Sequence, residues 1–113
     1  MTVTPESTVQ AQLEAYNARD LARFVQWYAE GVRLHRMPDG EPAIRGRAEL
    51  AAFYAAHRFN RPGLRADVLA RVVLGDKVID HERIFGVQEQ PFEMAIVYQV
   101  IDGLIANVWS FPP

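Results

Sequence analysis

The chain has 113 residues, a formal net charge of −2 and no cysteine; half of its residues are hydrophobic and 23% are charged. That length suits one domain, expected to span residues 1–113, and the composition is too apolar for a disordered chain. Disulfides and thiolate zinc sites are excluded, scattered arginines leave no electrostatic footprint for nucleic acid, and no apolar run approaches the ~20 residues of a membrane span. The opening MTVTPESTVQ lacks the basic-then-apolar order of a signal peptide, so a cytoplasmic protein is expected.

Thr4-Pro5-Glu6 reads as an N-cap followed by proline in the first helical turn. Val9, Leu13 and Tyr16 then recur at helical spacing and predict a first helix. Asp20 can cap a second helix in which Leu21, Phe24 and Tyr28 share a face, with Gly31 placed to end it. Val32 to Met37 reads as a first strand, and Pro38-Asp39-Gly40-Glu41-Pro42 as a turn. After Gly46, residues 47–59 predict a third helix with Leu50, Phe53 and His57 aligned, closed by Arg61-Pro62-Gly63.

The rest is strand-like. Leu64–Leu74 and Lys77–Val87 flank Gly75-Asp76, and Phe92–Ile101 and Leu104–Phe111 flank Asp102-Gly103. Such two-residue turns between β-rich runs signal hairpins. Helices first and an antiparallel meander afterwards predict an α+β fold rather than a parallel βαβ one.

Two-residue turns fix register, so faces follow from sequence. In the last hairpin, one expected face carries the small side chains Ala95, Val97, Gln99, Ala106, Val108 and Ser110. The other carries the bulky Met94, Ile96, Tyr98, Trp109 and Phe111. Both faces are mainly apolar, so both are expected to be covered. The bulky one, too large for a monomer to expose, is expected to form a homodimer. In the earlier hairpin, Arg71 opposes Asp80 as a cross-strand ion pair, while Ala70–His81 and Val68–Arg83 share the other face.

Three stretches carry a family resemblance over nearly the whole chain: VQAQLEAYNARDLARFVQWYAEGVRL, IRGRAELAAFY and MAIVYQVIDGLIANVWSF. They resemble the opening helices, the lid helix and the closing hairpin of the nuclear transport factor two-like superfamily, in its SnoaL-like and ketosteroid-isomerase-like branch. The resemblance implies a cone: a curled antiparallel (mixed) sheet wrapped around a cavity that three helices close. The small face of the last hairpin would line that cavity, and the outer face would make dimers.

The family's acids do not carry over. The tyrosine, aspartate base and second acid of ketosteroid isomerases match Gln12, Met37 and Val97. The Asp-Arg-Asp set of limonene epoxide hydrolases matches Phe85, Arg83 and Ser110, and the acid of SnoaL-type cyclases also matches Ser110. By register and by analogy with the family, Arg83 then becomes an oxyanion-holding candidate inside the cavity. His81, two residues away, and His35 on the first strand become candidate proton carriers. Tyr16, Tyr28, Gln99 and Ser110 are candidate substrate-binding groups. No metal-ligand spacing and no phosphate-binding glycine loop occurs, so neither a metal nor a cofactor is expected. The resemblance implies proton-transfer chemistry (isomerisation, cyclisation or hydration) on a small apolar carbonyl or hydroxyl compound. The alternative is a non-catalytic ligand-binding or dimerisation module of the same fold.

Overall fold

A computed structural model describes residues 3–113. Helix α1 runs Pro5–Asn17, and Thr4 caps it reciprocally. The Thr4 hydroxyl accepts from the Ser7 N–H at 3.0 Å, and the Ser7 hydroxyl accepts from the Thr4 N–H at 2.9 Å. Asp20 caps α2 (Leu21–Val25) by accepting from the Arg23 N–H at 3.1 Å.

Helix α2 is shorter than its periodicity suggests, because Tyr28 already opens strand β1 (Tyr28–Arg36) and Gly31 lies within that strand. The Trp27 carbonyl accepts the Ile105 N–H at 2.9 Å, which draws the chain into the sheet one turn early. Burial of Tyr28 and sheet pairing outweigh a weak helical preference. Strand β2 (Ile44–Arg45) is too short to leave a sequence pattern. Helix α3 covers Arg47–His57. Strands β3 (Arg65–Leu74), β4 (Lys77–Phe85), β5 (Phe92–Ile101) and β6 (Leu104–Phe111) follow as the turns predict.

The strands form one curled, unclosed six-stranded sheet in the order β2-β1-β6-β5-β4-β3. It is antiparallel except where β1 lies parallel to β6. Asp102 and Gly103 both sit at positive φ (52° and 80°), the geometry that matches a tight hairpin to strand twist. Val9, Phe24 and Leu50 of the helices pack on Val32, Leu34, Tyr98, Val100 and Val108 of the sheet. The side chain of Asn17 fastens the end of α1 to the outer edge of β3. Its Nδ2 donates to the Ala66 carbonyl at 3.0 Å, and its Oδ1 accepts from the Ala66 N–H at 2.8 Å. The loop after β4 crosses the start of β3 so closely that a Cβ on Gly86 would lie 2.6 Å from the Gly63 carbonyl carbon.

Two bulges revise the expected faces. Close to the turns the pairing is as predicted, including Ile101–Leu104, Val100–Ile105, Arg71–Asp80 and Ala70–His81. Between Gln99 and Val100 the register slips, leaving Ala106 without a partner. Beyond it Tyr98 faces Val108, Ile96 faces Ser110 and Val97 faces Trp109. A one-residue slip exchanges faces along a strand. The expected bulky face is therefore split: Met94, Ile96 and Tyr98 look inward, while Trp109 and Phe111 look outward. A second slip at Leu69 sets Val68 opposite Glu82 instead of Arg83.

Candidate functional site

Between the helices and the inner sheet face lies a cavity of about 120 Å³. Strand β4 sends Asp80, Glu82 and Ile84 inward, all buried. Asp80 is matched by a two-pronged ion pair: Arg71 Nε donates to Oδ1 at 2.7 Å and Nη2 to Oδ2 at 3.0 Å. Arg71 also donates to Gln10 Oε1 at 3.0 Å.

Glu82, two residues along, is only 3% exposed and has no salt-bridge partner among the described residues. Its contacts are neutral. Tyr28 donates its hydroxyl proton to Gln12 Oε1 at 2.9 Å, Gln12 Nε2 donates to the Tyr98 hydroxyl at 3.4 Å, and Tyr98 donates to Glu82 Oε2 at 3.3 Å. Every donor in this chain points towards the carboxyl. Burial raises the Glu82 pKa to about 7, and the nearby Asp80 charge adds to the rise; the Tyr98 bond and Arg71 offset part of it. A carboxyl at that value exchanges a proton in either direction near neutral pH.

Tyr16 and Tyr54 line the same cavity, and neither hydroxyl has a protein hydrogen-bond partner among the described residues. Burial raises both phenols above their ordinary value, so both remain proton donors. Glu82 adds to the rise of each, which places the acid and the two phenols around one space. Phe24 packs against both tyrosines at centroid distances of 6.0 and 4.8 Å and gives the space an aromatic wall. Together these groups supply one acid–base carboxyl and two neutral donors within an apolar enclosure.

The SnoaL-like domain matches residues 9–108 of the sequence. The chain belongs to the SnoaL-like domain family. A search of curated proteins gives no match. Among solved structures, an uncharacterised cystatin-fold protein from Novosphingobium aromaticivorans is 19% identical, with a TM-score of 0.86 over 96% of this chain and 98% of that one. A proposed ketosteroid isomerase from Kribbella flavida is 22% identical, with a TM-score of 0.81 over 96% and 77%. An NTF2-like protein of unknown function from Cytophaga hutchinsonii is 12% identical, with a TM-score of 0.84 over 100% and 93%. At these identities the likeness is one of fold, and it agrees with the cone expected from sequence.

Within this SnoaL-like domain, Tyr16, Tyr28 and Ser110 do line the cavity. Ser110 donates to the His35 carbonyl at 3.3 Å. The other expected site residues lie on the outer face. His35 stacks on Trp109 with a centroid separation of 5.6 Å. Gln99 donates to Asp76 at 3.0 Å and accepts from Asn107 at 3.0 Å. His81 and Arg83 both bind Glu93. For His81 and Arg83 the alternation along β4 is as expected, but the inner face is the opposite one. Glu82, Tyr54 and Tyr98 occupy the space that His81, Arg83 and Gln99 were expected to fill.

The signal for Glu82 was present in the sequence. In the register set by the turn, the face holding the Arg71–Asp80 pair carries three acids (Asp67, Asp80, Glu82) and two bases (Arg65, Arg71), so one acid is left over. Among the described residues, no group of His, Cys, Asp or Glu is arranged to hold a metal, and no helix is long and apolar enough to cross a membrane.

Proposed function

We propose that this SnoaL-like domain binds a small carbonyl or hydroxyl compound in the cavity and transfers a proton on it. Glu82 is the acid–base group, and Tyr16 and Tyr54 donate to the substrate oxygen. The observation that carries this reading is Glu82 itself, a buried carboxyl at the wall of a cavity with no salt-bridge partner among the described residues. Such a placement is costly in a merely structural role.

As carboxylate, Glu82 takes the proton from a carbon beside a carbonyl. The C–H electron pair moves into the adjoining C–C bond as the carbonyl becomes an enolate. Hydrogen bonds from the two phenols hold the developing oxygen charge. Return of the proton from neutral Glu82 to another carbon completes an isomerisation; return to the first carbon leaves only exchange with solvent. A volume of about 120 Å³ is slightly less than the ~150 Å³ of an engineered cavity that takes benzene, so the enclosed part of the ligand is one small ring or a short branched chain.

The test is solvent-deuterium exchange at the α-carbon of a panel of small ketones and enones, followed by NMR. The wild type should exchange at least one of them, with a rate that changes around pH 7. Glu82→Gln should lower that rate by roughly 10²–10⁴-fold, the usual contribution of a positioned acid–base group. Equal exchange by both proteins would refute the role of Glu82. Ligand-induced stabilisation without any exchange would favour the binding-module reading.

A further inference from the structure

Two guanidinium groups border the cavity and have no part in the chemistry above. Arg36 ends β1, Arg58 follows the last residue of α3, and both are among the cavity's lining residues. Their central carbons lie 4.9 and 5.1 Å from the centre of the Phe53 ring, so one aromatic side chain holds both. Arg58 donates to the His57 carbonyl at 2.9 Å. Neither forms a salt bridge with a carboxylate among the described residues, whereas Arg71 pairs with Asp80 and Glu6, and Arg83 with Glu93. An arginine resting on an aromatic face is partly desolvated and already ordered, which strengthens its fork for an incoming anion.

Their position is also defined electrostatically. Both act on the Tyr54 phenol, and Arg58 acts on Tyr16 as well. The charges acting on Glu82 are instead Asp80 and Arg71. The cavity therefore has a cationic end beside Tyr54 and an acidic end at Glu82, with the phenols between.

We infer that this cationic end is an anion site and that the cavity takes a small carboxylic acid, its carboxylate held by Arg36 and Arg58 and its compact apolar body among Phe24, Phe53 and Tyr54. This separation keeps the ligand's negative charge away from Glu82 and leaves the far end of the ligand beside the acid–base group. The inference rests on the cavity being the ligand site, as proposed above, but not on proton transfer by Glu82.

The experiment is calorimetric titration with benzoate and isovalerate, each against its amide, on the wild type, Arg36→Gln/Arg58→Gln and Glu82→Gln. The wild type should bind at least one acid about tenfold more tightly than its amide, the size expected of charge-assisted hydrogen bonds. Added salt should weaken the acid and spare the amide. The double variant should bind acid and amide alike, and Glu82→Gln should keep the preference. Equal affinity for acid and amide in the wild type, a preference that survives in the double variant, or failure to bind either acid would overturn the inference. Exchange that is absent from the wild type, or equal in the wild type and Glu82→Gln, with the acid preference intact would remove the role of Glu82 and leave the anion site standing.

Discussion

Glu82 and Glu93 lie on adjacent strands, one position out of register and on opposite faces of the sheet. On the outer face, Glu93 receives Arg83 at 3.1 Å and also binds His81, and these partners hold its carboxyl below the usual range. On the inner face, Glu82 accepts from the Tyr98 hydroxyl, and burial pushes its carboxyl the other way. The more charged cluster is thus the chemically quieter one. Solvent screens exposed ion pairs, whereas a buried group without a cation retains the full effect of its surroundings.

The sharpest way to break this contrast acts on the neighbour that keeps the inner face tolerable. Asp80→Asn leaves the Arg71 guanidinium without its buried partner and should destabilise the fold by ~3 kcal/mol in urea unfolding. A change below about 1 kcal/mol would mean that Gln10 and Glu6, whose carboxylate lies 3.8 Å from Arg71 Nη1, suffice to hold Arg71.

The next effect comes from Glu82 and depends on pH. Its folded pKa lies above the ordinary 4.5, so its stabilising contribution is complete below that value and is lost as pH rises through about 7. The loss amounts to ~3 kcal/mol across that window. Glu82→Gln cannot titrate, so the difference between the two stability–pH curves isolates this residue; parallel curves would contradict a raised Glu82. The smallest effect belongs to the outer cluster. Glu93→Gln should leave the urea midpoint unchanged at neutral pH, and a clear shift would show that the exposed triad is structural.

The hairpins, caps and helix order were legible in the sequence because each rests on local chemistry: Thr4, Asp20, the Asp102-Gly103 turn. The Arg71–Asp80 pair was legible too, since register near a tight turn leaves no freedom. What failed was propagation. A bulge leaves no reliable mark in composition, and Ala106 and Leu69 read like any other strand residues. Beyond Ala106 the two strands of the last hairpin part company: Val108 and Ser110 stay inward as expected, whereas β5 turns Met94, Ile96 and Tyr98 inward in place of Ala95, Val97 and Gln99. For β4 the alternation was right, and only tertiary packing decides which side the helices cover. The helices settled on the side that buries Val78 and Ile84, bringing Glu82 with them.

The grip of Asn17 on Ala66 bears on how the molecule behaves in company. Strand β3 ends the sheet, and an unpaired strand edge is a template for other chains. With one donor and one acceptor, the Asn17 amide answers the Ala66 backbone as another strand would, and the helix end beside it occupies the approach. At the opposite end of β3, Val72 and Leu74 stand 58% and 68% exposed, with no such guard among the described residues. Any self-association through this edge therefore begins at the hairpin tip, where the chain is bare, and halts where a single asparagine has already taken the partner's place.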